Sequence, residues 1–178
     1  MYFCNVSRAG FFDLSYHDRM IWSEVVADKS LQNLPYKIEL NERGNIEMSP
    51  VTPNHAIYQA IIQRLLTRLT DNGLALPECP INTKKGVRVP DVAWGSSEFL
   101  ASREIDSFPR AAEICVEVIS RSNTKEEMKE KRQLYLESGA VEVWFCDLSG
   151  KMMFYGVKGR LKRSSLVPEF PNVVEFDF

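Results

Sequence analysis

The stretch Ala111–Ala140, AAEICVEVISRSNTKEEMKEKRQLYLESGA, decides the fold. Its first ten residues are rich in β-formers and contain no Gly or Pro, the pattern of a central strand. A polar break follows, with Asn123 or Thr124 placed to cap a helix. Glutamates fill the first turn, Met128, Leu134, Tyr135 and Ser138 recur at helical spacing, and Gly139 ends the run. Two charges resist this pattern. Period two puts Glu117 on one face with Glu113, Cys115 and Ile119, opposite Ile114, Val116 and Val118. Lys131 falls on the apolar stripe of the helix, where the spacing asks for Leu or Met.

Working outward, residues 87–95 (VRVPDVAWG) form a strand interrupted by Pro90, which marks an edge, a bulge or a bend. A third charge, Asp91, follows that proline. Residues 36–40 and 45–49 both alternate and flank NERG, which predicts an N-terminal β-hairpin. Residues 55–73 predict a long amphipathic helix on Ile57, Ala60, Ile61, Leu65 and Leu69, with Asn54 as cap and Gly73 closing it. A short helix is expected within residues 11–30, capped by Ser23. Residues 74–82 give a broken strand, 96–109 a short helix or loop, and 141–159 a last hairpin. The basic cluster VKGRLKRSS (157–165) is expected as a solvated turn, and the apolar tail beyond it is expected to pack back on the body. The sum is one α/β domain over residues 1–178, with a mixed central β-sheet flanked by helices.

Composition narrows the function. The 178 residues are 44% hydrophobic and 26% charged, ordinary for a globular chain with one core. No apolar run approaches the length that spans a bilayer, and the N-terminus lacks the basic-then-apolar order of a signal peptide. No membrane partner and a cytoplasmic location are expected. Cys4, Cys79, Cys115 and Cys146 are scattered, without the spacing of a zinc ribbon or a disulfide framework. A net charge of −2 lacks the basic excess of proteins that grip duplex DNA by its phosphates, so any such contacts must be local. His17 and His55 are the only histidines, and no nucleophilic triad or Gly-rich phosphate loop is present.

Asp91, Glu117 and Lys131 are each open to a bland account: a turn acid, a solvated strand face, a snorkelling lysine. Together they suit one chemistry. Hard carboxylate oxygens bind Mg²⁺ or Mn²⁺, a bound cation activates water against a phosphoryl group, and a lysine steadies the charge that develops.

The segments GNIEMSP with a following His, VPDVAW, EICVEVIS, EKRQLYLESGA and GKMMFY, in this order, resemble the Uma-two family of the restriction-endonuclease-like, PD-(D/E)XK nuclease superfamily, common in cyanobacteria. The resemblance covers roughly residues 20–170. It implies a restriction-endonuclease-like core and a Mg²⁺-dependent (or Mn²⁺-dependent) DNA-cleaving site. By that match Asp91 and Glu117 are the metal-binding acids. The superfamily's usual lysine would fall at Ile119, and Lys131 on the next helix takes its place. The family's upstream glutamate and histidine most resemble Glu47 and His55, with Gln59 one turn further on. DNA is the partner this implies, and a homodimer is the expected assembly. The competing expectation is a catalytically silent nuclease fold acting in binding or self-association, using Trp94, Phe99, Tyr155 and the apolar tail.

Overall fold

The computed structural model describes residues 20–175. Among these the chain runs α1 (Trp22–Ala27), β1 (Tyr36–Asn41), β2 (Ile46–Pro50), α2 (Pro53–Leu69), β3 (Gly73–Pro77), β4 (Ile81–Thr83) and β5 (Gly86–Arg88). It continues through β6 (Val92–Ser96), α3 (Ser97–Ala101), β7 (Ile114–Val118), α4 (Lys125–Glu137), β8 (Glu142–Cys146), β9 (Met152–Gly156) and β10 (Gly159–Leu161).

The mixed α/β class holds, but the strands divide into two sheets. The smaller is antiparallel, in the order β2-β1-β5-β4, and the N-terminal hairpin is its edge. The larger runs β10-β9-β8-β7-β6-β3, with only β7 and β8 parallel. The crossover between those two is α4, as a parallel pair requires. The division has a local cause at Pro90, which has no N–H to offer a ladder. On one side of it β5 pairs with β1, and on the other β6 pairs with β3 and β7. The run read as one strand therefore serves both sheets, and Asp91 stands where the chain crosses between them.

The larger sheet is covered on both faces. Tyr58, Ile62 and Leu66 of α2 pack on Ile114, Val116, Val118, Trp144 and Phe154. Met128 and Tyr135 of α4 pack with Phe99 on Cys115, Val143 and Phe145. Every residue of β7 and β8 is consequently buried. A side chain at Glu117 has no solvated face to turn to.

Several local expectations are corrected. The cap of α2 is Thr52, whose hydroxyl accepts from the His55 N–H, because Pro53 already occupies the first helical position. Asn54 therefore lies inside the helix. Its C-terminal end is Leu69, where the Thr70 hydroxyl donates to the Leu66 carbonyl, and Gly73 instead opens β3. In α1 the cap is Ile21, whose N–H is closed by the Glu24 carboxylate, so Ser23 is inside the helix. The rest of that expected segment, residues 11–19, lies outside the described residues. Thr124 and Glu127 form the capping box of α4. Part of the basic cluster is not a turn but the edge strand β10. The tail does pack back: Val167, Phe170 and Val174 are buried, and the Glu142 carboxylate anchors it by accepting from the N–H groups of Ser165 and Leu166.

Candidate active site

Asp91 and Glu117 are 1% and 3% exposed, which removes both the turn and the solvated-face accounts. Each acid has one oxygen fixed by the protein and the other aimed at a common point. Asp91 Oδ2 accepts from the Val118 N–H at 2.6 Å. Glu117 Oε1 accepts from the Tyr135 hydroxyl at 2.6 Å and from Lys131 Nζ at 3.2 Å. The remaining oxygens, Asp91 Oδ1 and Glu117 Oε2, lie 2.6 Å and 3.0 Å from Lys37 Nζ. His55 Nε2 lies 3.0 Å from Asp91 Oδ1.

A second layer surrounds this pair. Lys131 Nζ also reaches Glu39 Oε2 at 3.0 Å, and Glu39 Oε1 accepts from the Val89 N–H. Arg88 lies 3.9 Å from Glu39 and 2.7 Å from Glu47. Lys131 therefore does not snorkel. It is buried on α4 between two carboxylates, and the break in the apolar stripe is its route into the site. Among the buried groups, three carboxyl side chains (Glu39, Asp91, Glu117) face three cationic ones (Lys37, Arg88, Lys131). A buried charge persists only when paired in this way.

The electrostatics follow from that balance. Burial opposes the charge on Asp91, but the Lys37 ammonium and the hydrogen bond with His55 outweigh it and hold the carboxyl well below the ordinary range. Burial likewise opposes the charge on Glu39, and Lys131, Lys37 and Arg88 still hold it low. For Lys37 burial favours loss of the proton, yet Glu117, Asp91 and Glu39 raise its pKa well above the usual lysine value. Lys131 is raised in the same way against burial, by Glu117 and Glu39. Burial and the neighbouring Glu117 push the Tyr135 phenol well up, which keeps it an O–H donor at neutral pH.

The profile of a family described as "Putative restriction endonuclease", Uma2, matches residues 27–165. The chain belongs to the Uma2 family. A solved structure of similar fold is that of a "putative nuclease belonging to DUF820" from Anabaena variabilis. It aligns at a TM-score of 0.64 and 15% identity over 75% of this chain and 84% of that one. At that identity the likeness shows a shared fold. No curated protein matches the chain.

Of the site residues expected from the sequence, this Uma2 protein brings Asp91, Glu117, Lys131 and His55 together. Glu47 is engaged by Arg88 and Asn41, one strand further out. The glutamate inside the network is Glu39, which is its direct cross-strand partner. Gln59 is half-buried on α2, and no hydrogen bond ties it to the acids among the described residues. Lys37, Glu39, Arg88 and Tyr135 were not expected from the sequence. Of the aromatics expected at an interface, Phe99 is instead fully buried and stacked on Phe108, while Trp94 and Tyr155 are half-buried. No described helix is long and apolar enough to cross a membrane.

Among the described residues, no group of three or more His, Cys, Asp and Glu is arranged to hold a metal ion. The two acids nevertheless suit Mg²⁺, which keeps most of its waters and binds through one or two carboxylates. The Lys37 ammonium already shows that both oxygens can be shared by one cation.

A cavity of about 610 Å³ adjoins this point. Pro50, Thr52, His55, Val118, Ser120 and Arg121 are among its lining residues. His55, on the wall, links it to Asp91.

Proposed function

We propose that this Uma2 protein is a Mg²⁺- or Mn²⁺-dependent endonuclease that hydrolyses DNA phosphodiester bonds. The observation that carries the proposal is the convergence of Asp91 Oδ1 and Glu117 Oε2 on a single cation position, with their other oxygens fixed from behind. Asp91 and Glu117 would hold the metal, which when bound polarises a phosphoryl oxygen and makes a water nucleophilic at neutral pH.

The chain's own groups supply positioning. Val118 and Tyr135 lock the two carboxylates, so the ligands are set before any substrate arrives. Lys131, held between Glu39 and Glu117, orients the attacking water or stabilises the charge that builds on the phosphoryl group. His55 steadies Asp91 from the cavity side. DNA would approach through that cavity, where Arg121 offers a local positive charge on a chain whose net charge is −2.

One observation favours the second reading, a silent nuclease fold acting in binding. The buried charges already satisfy one another without any added ion. The two readings part on plasmid DNA. Supercoiled plasmid incubated with the protein and Mg²⁺ or Mn²⁺ is expected to be nicked and linearised, and EDTA is expected to stop it. Plasmid left intact at every metal concentration would favour the silent fold.

A further inference from the structure

We propose that Lys37 is a built-in competitor of the divalent cation, occupying the metal position in the metal-free protein and setting how tightly metal binds. The inference rests on Asp91 and Glu117 being the metal ligands.

The geometry separates Lys37 from the other cations of the network. Its Nζ is the one ammonium that contacts both Asp91 Oδ1, where His55 Nε2 also lies at 3.0 Å, and Glu117 Oε2. Lys131 touches Glu117 only at Oε1, the oxygen already held by Tyr135, and turns its other side to Glu39. Arg88 sits between Glu39 and Glu47. A cation bound between the two acids therefore displaces one ammonium, that of Lys37, and leaves the other two cations where they are.

The origin of Lys37 makes the displacement feasible. The residue lies on β1 of the smaller sheet, whereas Asp91 and Glu117 belong to the junction and to the larger sheet. Its ammonium arrives on a flexible four-carbon stem, so withdrawal needs new rotamers and leaves the strand in place. Charge supplies the competition. Within this network the three buried carboxyl groups of Glu39, Asp91 and Glu117 face the three buried cations Lys37, Arg88 and Lys131, and a divalent ion added with Lys37 still in place would leave two positive centres sharing the same oxygens. Exchange avoids this. The metal-free site is thus closed and self-neutralised, and metal affinity becomes a difference between two cations for one seat.

The test is Mn²⁺ binding at fixed pH, by calorimetry and by the electron spin resonance of free Mn²⁺, for wild type and Lys37→Gln. Glutamine keeps a polar tip, on a stem one atom shorter, and removes the charge. Lys37→Gln is expected to bind Mn²⁺ roughly tenfold or more tightly than wild type, the gain from deleting one competing contact. Equal or weaker binding by the variant, with wild type binding metal, would overturn the role of Lys37 and leave the metal site standing. Absence of Mn²⁺ binding in both proteins would overturn the metal site and this inference with it. Should the variant not fold, wild-type protein gives the same answer by acylation with acetic anhydride and mass spectrometry. Lys37 is expected to be protected without metal and to react once Mn²⁺ is added. A Lys37 that stays protected while Mn²⁺ binds contradicts the exchange.

Discussion

Glu117→Gln is expected to lower stability at neutral pH by about 3–5 kcal/mol, the cost of removing one partner from a buried ionic group. Glutamine is nearly isosteric, so packing on β7 is preserved and the charge alone is lost. Lys37, Lys131 and Tyr135 all converge on this carboxylate. Without it two buried ammonium groups share the remaining Asp91 and Glu39. Against a total stability of about 5–15 kcal/mol, that is a large fraction.

The pH dependence is a second handle on the same variant. Both lysines have folded pKa values above the ordinary one. Their contribution is therefore fully present below the unfolded lysine value of about 10.4 and is lost as pH rises through the folded values. The gap between wild type and Glu117→Gln is expected to stay level through neutral pH and to narrow in strong alkali, as the lysines lose their protons. Urea unfolding at a series of pH values measures it. A loss below about 1 kcal/mol would place this pair in the class of weak surface bridges, contrary to its burial.

Lys131→Met is expected to do the reverse, sparing the fold and removing the chemistry. Methionine completes the apolar stripe of Met128, Leu134 and Tyr135 that the helix already presents. Both acids keep partners, Glu117 with Lys37 and Tyr135, and Glu39 with the Val89 N–H and Arg88. The stability change should therefore be smaller than for Glu117→Gln. The rate of metal-dependent cleavage is expected to fall by about 10²–10³-fold, the usual effect of deleting one group that stabilises developing charge. Mn²⁺ affinity should be retained, since the metal oxygens are untouched. Plasmid nicking and Mn²⁺ calorimetry on the same preparation separate the two effects. A Lys131→Met protein that cleaves as wild type does would leave Lys131 with a purely structural role.

The legible part of this protein was the part whose pattern it breaks. Lys131 stood out because a strong 3.6-residue stripe surrounds it, and Glu117 because its neighbours are all apolar. Asp91 was visible through Pro90, and the structure adds why the proline matters: it passes the chain from one sheet to the other. Lys37 and Glu39 were hidden for the opposite reason. In YKIELN they alternate with Tyr36, Ile38 and Leu40, which reads as a strand with one wet face. The face is not wet, because Lys131 of α4, Glu117 of β7 and Asp91 at the junction bring their own charges over it. Alternation reports polarity, not burial, and only the packing of a second sheet could turn those two residues inward. The resemblance points to Glu47, and the network holds its cross-strand partner Glu39 instead. The two are cross-strand partners on one face, and nothing local says which strand lies deeper.

The most direct test is where a metal goes. Crystals grown with Mn²⁺ and measured at the manganese absorption edge are expected to show one anomalous peak between Asp91 Oδ1 and Glu117 Oε2, with the Lys37 ammonium moved off both. A peak bound elsewhere, or none while Lys37 remains between the two acids, would contradict the account.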